Sequence, residues 1–102
     1  MTAAYTQDQC KTELANLNTD LEHPWHLEDD KLTKEFTFPN FVNAFGYMAQ
    51  VAIVAEKHDH HPEWFNVYKK VKVQLTTHEA GGISQRDFDL AHRMEKLAIG
   101  QT

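Results

Sequence analysis

Apolar positions change their period along this chain, and each change marks an element. From Thr6 to about Asn18 the chain is polar, with Leu14 and Leu17 on one side, which predicts a short amphipathic helix. Trp25-His26-Leu27 then precedes the turn-prone Glu28-Asp29-Asp30. Beyond it, Leu32, Lys34, Phe36 and Phe38 alternate with Thr33, Glu35 and Thr37. Period two with aromatic and β-branched residues predicts a hairpin whose second strand is the stronger. Pro39 ends that strand, and Asn40 can cap a helix starting directly after it.

From Phe41 to about Lys57 the period is helical. Phe41, Ala44, Phe45, Met48, Val51, Ala52 and Ala55 form one stripe, and Tyr47, Ile53 and Val54 add apolar surface off it. A helix apolar beyond one face is buried on more than one side, against a wide core or a second subunit. Phe65 and Val67, then Val71, Val73 and Leu75, alternate with polar residues around Tyr68-Lys69-Lys70, a second hairpin. Gly81-Gly82 breaks the chain before a last helix. Ser84 with Asp87 has the spacing of a capping box, and Ile83 with Phe88 that of a hydrophobic staple. Leu90, Ala91, Met94, Leu97 and Ala98 continue the apolar face toward Gly100. The predicted class is α+β, in the order α-β-β-α-β-β-α. A four-stranded antiparallel sheet carries three helices on one face, because hairpins pair antiparallel and a half-buried sheet needs one cover.

Composition narrows the function more than the fold. The 102 residues fit one domain, residues 1–102, and no repeat or linker divides them. Asp and Glu number 15 against 10 Lys and Arg, for a formal charge of −5. That balance argues against direct binding to nucleic-acid phosphates or anionic membranes. Cys10 is the one cysteine, which rules out an intrachain disulfide and fits a reducing cytosol. The segment from Met1 to Asp8 has no basic start or apolar run, so no signal peptide is expected. No apolar stretch approaches the roughly 18 residues of a membrane helix.

Chemistry concentrates in Glu56-Lys57-His58-Asp59-His60-His61-Pro62-Glu63-Trp64, which holds three imidazoles, three carboxylates and an indole. Histidine exchanges protons near neutral pH, and carboxylate neighbours suit it to general acid–base work. Pro62 bars a helical conformation at His61, so the cluster sits where a helix gives way to a loop. His60 and His61 lie on the loop entering the second hairpin and His78 just beyond its far end, so the three can approach one another. Glu56 and Asp87 are placed to border the same cleft. Trp64 offers a flat wall for a planar ring, and together these groups fit proton transfer on a small, flat, polar heterocycle.

Plainer readings stand beside this one. His58, His60, His61 and His78 offer enough nitrogens for zinc or copper, although adjacent His60 and His61 on extended chain point to opposite sides. Trp64 reads more readily as a core residue than as a ligand wall, Asp87 as a helix cap and Glu63 as a solvated side chain. His23, His26 and His92 are isolated and carry no predicted role. Lys69-Lys70 reads as a solvated turn.

Glu56-Lys57-x-Asp59-His60-His61-Pro62-Glu63-Trp64-x-Asn66-Val67-Tyr68, followed by Leu75-x-Thr77-His78 and Gly82-x-Ser84-x-x-Asp87, resembles the pterin-4a-carbinolamine dehydratase family. Phe41-x-x-Ala44-Phe45 extends the resemblance, which covers essentially the whole chain. His58 fills a position that is often apolar in relatives. The resemblance implies a lyase, free of cofactor and metal, that dehydrates 4a-hydroxytetrahydrobiopterin to quinonoid dihydrobiopterin. It would thereby recycle the pterin of aromatic amino-acid hydroxylases. It implies His60 and His78 as general acids, each serving one face of the ring, and His61 as a pterin-binding residue that assists as base. Glu56, Asp59, Trp64, Arg86 and Asp87 would line the pocket or orient the histidines, with Asp59 beside His60 favouring its imidazolium. A homo-oligomer, dimer or tetramer, through the Phe41–Lys57 helix is implied too, and Tyr47, Ile53 and Val54 agree with it. The resemblance also implies an alternative function, a protein-interaction module whose same helix surface acts, in animals, as a dimerisation cofactor of a homeodomain transcription factor. The implied location is cytoplasmic, and nuclear as well in a eukaryote.

Overall fold

The computed structural model describes residues 2–102, so Met1, the first residue of the segment read above for a leader, lies outside it. The elements are α1 (Gln7–Leu17), β1 (His26–Glu28), β2 (Lys31–Thr37), α2 (Phe41–Lys57), β3 (Glu63–Val67), β4 (Lys70–Leu75), a short 3-10 turn (His78–Ala80) and α3 (Gln85–Ala98). This is the expected α+β order. The four strands are antiparallel and lie side by side as β1-β2-β4-β3. α2 therefore carries the chain past the place β4 later fills, to the far edge of the sheet.

Local chemistry explains the boundaries. Thr6 and Gln9 form a reciprocal capping box at α1, and Asn40 accepts the Asn43 amide at 2.8 Å to open α2. β1 and β2 meet through Asp29 and Asp30, both with positive φ (54° and 58°). Two left-handed residues match the twist of a tight hairpin, and aspartate tolerates them better than most side chains. The second hairpin turns at Tyr68, and Asn66 Nδ2 braces it by donating to the carbonyls of Tyr68 and Lys70.

Leu32 and Phe36 on β2 share a sheet face with Leu75, Val73 and Val71 on β4, and all are buried beneath the helices. Tyr47 stacks among Phe36 and Phe38 at centroid distances of 5.2 and 4.8 Å. Its hydroxyl donates to the Met94 carbonyl at 2.9 Å, and burial pushes its pKa well up. Lys34 keeps the inward phase its position predicts. Its ammonium pairs with Glu95 at 2.6 Å and sits 4.5 Å over the Phe36 ring, while Trp25 Nε1 donates to the same carboxylate. That pairing makes a buried lysine tolerable.

Two expectations need correction. On α2 the core face is Ala44, Tyr47, Val51 and Ala55, with Met48 and Val54 packed at its border. Phe41, Phe45 and Ala52, read as core, face outward, whereas Tyr47 and Val54, read as extra surface, face inward. A helix apolar nearly all round gives a weak phase, and the buried partner for the Tyr47 hydroxyl lies far off in sequence. On β3 the inward residue is Trp64, opposite Val73, and Phe65 and Val67 point to the uncovered face. Among the described residues, no helix is long and apolar enough to cross a membrane.

Candidate active site

The end of α2 sets the histidine loop. His58 is the C-cap, Asp59 follows with φ 50°, and the chain reverses. The Asp59 amide donates to the Glu56 carbonyl at 3.2 Å and the His60 amide to the Ala55 carbonyl at 3.0 Å. Those two bonds form a Schellman motif, which satisfies the last helix carbonyls and turns His60 back beneath the helix. Arg86 of α3 fastens the same turn, donating from Nη2 to the Asp59 carbonyl at 2.6 Å.

His60 is 8% exposed, and its Nε2 lies 2.6 Å from Oδ1 of Asp87, a fully buried carboxylate at the third position of α3. Oδ2 of Asp87 accepts from the Thr77 hydroxyl at 2.8 Å and from the Ser84 amide at 2.9 Å. The Thr77 and Ser84 hydroxyls are 2.6 Å apart, and the Arg86 amide donates to Ser84 Oγ. The carboxylate beside His60 is thus that of Asp87, not Asp59. Asp59 contributes its left-handed backbone and its carbonyl. The capping-box spacing of Ser84 and Asp87 is fulfilled, and the same carboxylate serves both the helix and the histidine.

The other two imidazoles are open. His61 has a side chain 57% exposed, with Nε2 2.9 Å from Glu56. His78, on the 3-10 turn, is 80% exposed, with Nε2 3.3 Å from Glu63. Glu63 also takes the Lys31 ammonium at 2.6 Å. The Lys31 hydrogen bond, joined by its charge and by His78, holds the Glu63 carboxyl below the usual carboxylate range. Gly81, with φ 81°, ends the turn in a conformation that suits glycine.

These contacts close a circuit. His60 meets Asp87, Asp87 meets Thr77, His78 follows Thr77, Glu63 meets His78, and Pro62 and His61 lead back to His60. The three predicted imidazoles thus lie on two neighbouring segments, with His60 turned inward and His61 and His78 at the surface. Trp64 is half-buried and packed against the core. A cleft of about 140 Å³ on the α3 side of the loop is lined by His58, His60, Arg86, Asp89, Leu90 and Arg93. A larger one, about 410 Å³, lies near α1 and β1 among Tyr5, Cys10, Leu27 and Ile83, and its lining holds no histidine. Size alone would point away from the titratable cluster. Among the described residues, no three His, Cys, Asp or Glu side chains gather to hold a metal ion. His23, His26 and His92 are all exposed.

Sequence reasoning gave Thr77 and Lys31 no role, gave Ser84 only that of a helix cap, and read Glu63 as solvated. The signal for Thr77 is adjacency to His78, and that for Ser84 is the capping box it opens. Nothing local marks Lys31, which meets Glu63 from the first hairpin.

A sequence profile of the family described as Pterin 4 alpha carbinolamine dehydratase matches residues 3–97. A protein of Rhizobium johnstonii named "Putative pterin-4-alpha-carbinolamine dehydratase" is 57% identical over 76 residues, covering 72% of this chain and 75% of that protein. A Jannaschia protein of the same name is 61% identical over 69 residues, 68% of this chain and 70% of its own. A crystal structure of a transcriptional coactivator/pterin dehydratase from Brucella melitensis superposes with a TM-score of 0.85 at 39% identity, covering 93% of this chain and 98% of that one. A pterin dehydratase-like RuBisCO assembly factor of the alpha-carboxysome shares the fold, with a TM-score of 0.65 at 21% identity. The chain belongs to the pterin-4a-carbinolamine dehydratase family.

Proposed function

We propose that this chain dehydrates 4a-hydroxytetrahydrobiopterin to quinonoid dihydrobiopterin and water, returning the pterin of aromatic amino-acid hydroxylases to its cycle. The single observation that carries the reading is three imidazoles, each paired to its own carboxylate, on two neighbouring segments. Family membership supports the substrate class.

The reaction asks for little else. The C4a hydroxyl accepts a proton, the C4a–O bond breaks and water leaves. The N5 lone pair forms the new N5=C4a bond, and N5 gives up its proton. Oxidation state is conserved, so acid and base suffice. His60 and His78 act as the acids, each for one face of the ring and thus one hydroxyl stereoisomer. His61 binds the pterin and takes the N5 proton. Glu56 orients His61, Asp87 orients His60, and Arg86 and Asp59 hold the loop, while Trp64 flanks the ring. Histidine meets the requirement that a catalytic pKa lie near working pH. His60→Ala and His78→Ala, each assayed on the separate stereoisomers, are expected to show opposite selectivity. Equal losses on both isomers would refute the division of labour.

The chain works as a single cytoplasmic domain in a homo-oligomer joined through α2. Phe41, Val42, Phe45 and Ile53 support this, because they form a stripe along α2 that is 48–77% exposed. Apolar stripes of this kind mark association surfaces. Light scattering should give at least a dimer at micromolar concentration, and a monomer would overturn this assignment.

A further inference from the structure

We propose that Thr77 is a positioning residue that, through Asp87, fixes which nitrogen of His60 exchanges protons, and that this nitrogen is Nδ1. The inference deepens the dehydratase reading and rests on it for the identity of the proton acceptor.

Donor counting carries the argument. A threonine hydroxyl has one hydrogen, and that of Thr77 is directed at Asp87 Oδ2. The 2.6 Å contact between Thr77 and Ser84 must then be donated by Ser84. Ser84 Oγ in turn accepts the Arg86 amide. The hydroxyls thus run in one direction, from the first turn of α3 through Ser84 and Thr77 into Asp87. Oδ2 receives a second donor, the Ser84 amide. The N-terminal end of α3 and two donors on one oxygen favour a charged, accepting Asp87, so its other oxygen takes the proton of His60 Nε2.

The consequence falls on the opposite edge of the ring. Nε2–H is committed to Asp87 in both the neutral and the charged imidazole. Among the described residues no buried side-chain polar atom lacks a partner, and Nδ1 has none from the protein, so Nδ1 is the ring nitrogen that solvent and substrate reach. The imidazolium gives its Nδ1 proton to the leaving hydroxyl as the C4a–O bond breaks, and stays behind neutral with Nε2–H intact. Thr77 and Asp87 are 2% and 0% exposed, so the arrangement is shielded from competing water. No such chain supports His61 or His78, which bind exposed glutamates.

Nitrogen-15 NMR of histidine-labelled protein reads the tautomer without substrate. Wild type is expected to show His60 protonated at Nε2 when neutral. In Asp87→Asn the amide oxygen keeps the Thr77 and Ser84 donors, its NH2 turns to His60, and the proton is expected to move to Nδ1. Thr77→Val removes one donor at nearly constant shape and is expected to mix the tautomers. It should also lower kcat about tenfold, with KM changed less than about twofold. Thr77→Ser should restore both. Wild-type His60 protonated at Nδ1, or Thr77→Val with an unmixed tautomer and unchanged kcat, would overturn the proposal. The tautomer needs no turnover, so a protein without dehydratase activity would sink the function while leaving this inference to its own result.

Discussion

His60 and His78 present the same pair of groups, an imidazole and a carboxylate, in two unlike settings. His60 is buried against a buried Asp87 at 2.6 Å, and every remaining acceptor site on that carboxylate's Oδ2 is engaged by Thr77 and Ser84. His78 stands 80% exposed at 3.3 Å from a Glu63 shared with Lys31. The first pair belongs to the scaffold, since its carboxylate also caps α3. The second rests on the surface and is free to follow a substrate. The difference teaches that pairing alone does not define a histidine's task. Burial decides whether the partner fixes a proton or only biases it, because water competes for the exposed pair and not for the buried one.

The largest break of that comparison is Asp87→Ala. It leaves the His60 ring, the Thr77 hydroxyl and the Ser84 amide without their acceptor and removes a cap. A loss of about 3 kcal/mol is expected, read by urea unfolding. His78→Ala is expected to reduce turnover while stability stays within about 0.5 kcal/mol, since the ring packs against little. Equal stability losses in the two variants would erase the distinction between scaffold and surface.

The smallest effect is a pH dependence. Glu63 is held below the ordinary carboxylate value of 4.5, first by Lys31 and then by His78. A depressed folded value means that its contribution to stability is fully present above about 4.5 and is lost as pH falls through the folded value. Glu63→Gln should therefore flatten the acid limb of stability slightly and leave stability at neutral pH almost unchanged. The effect is small because the side chain is 41% exposed. A variant that steepens the acid limb would contradict the assignment.

Much of the frame was legible in the residues because it is written locally. Asn40, Pro39 and the Ser84–Asp87 spacing mark boundaries by backbone chemistry within a few positions, and each is found where it was expected. The inward phase of Lys34 was legible too, but Glu95, which makes that burial tolerable, stands 61 residues away. The phase of α2 was misread because Phe41 and Phe45 are more apolar than Tyr47, and hydrophobicity alone cannot see a hydroxyl bonded to Met94. β3 was misread for a related reason. A five-residue edge strand carries apolar side chains on both faces, and Phe65 and Val67 outnumber Trp64.

The candidate site was legible as a set of residues and less so as a set of contacts. His60, His61 and His78 each stand beside a carboxylate. Yet sequence proximity paired His60 with Asp59, whereas the left-handed turn at Asp59 sends His60 to Asp87. A one-residue change in backbone handedness exchanges the partner, and no composition or spacing rule reports it. Glu63 was read as a solvated side chain, because its pairing depends on Lys31 arriving from another hairpin.

The central claim is acid–base dehydration by this histidine set. It is tested most directly by the rate at which freshly generated 4a-hydroxytetrahydrobiopterin loses water, followed by ultraviolet absorbance, with wild type and with His61→Ala. The account predicts a clear acceleration over buffer that falls by about 10²–10⁴-fold in the variant while the fold persists. Well-folded wild-type protein that gives no acceleration over buffer would contradict it.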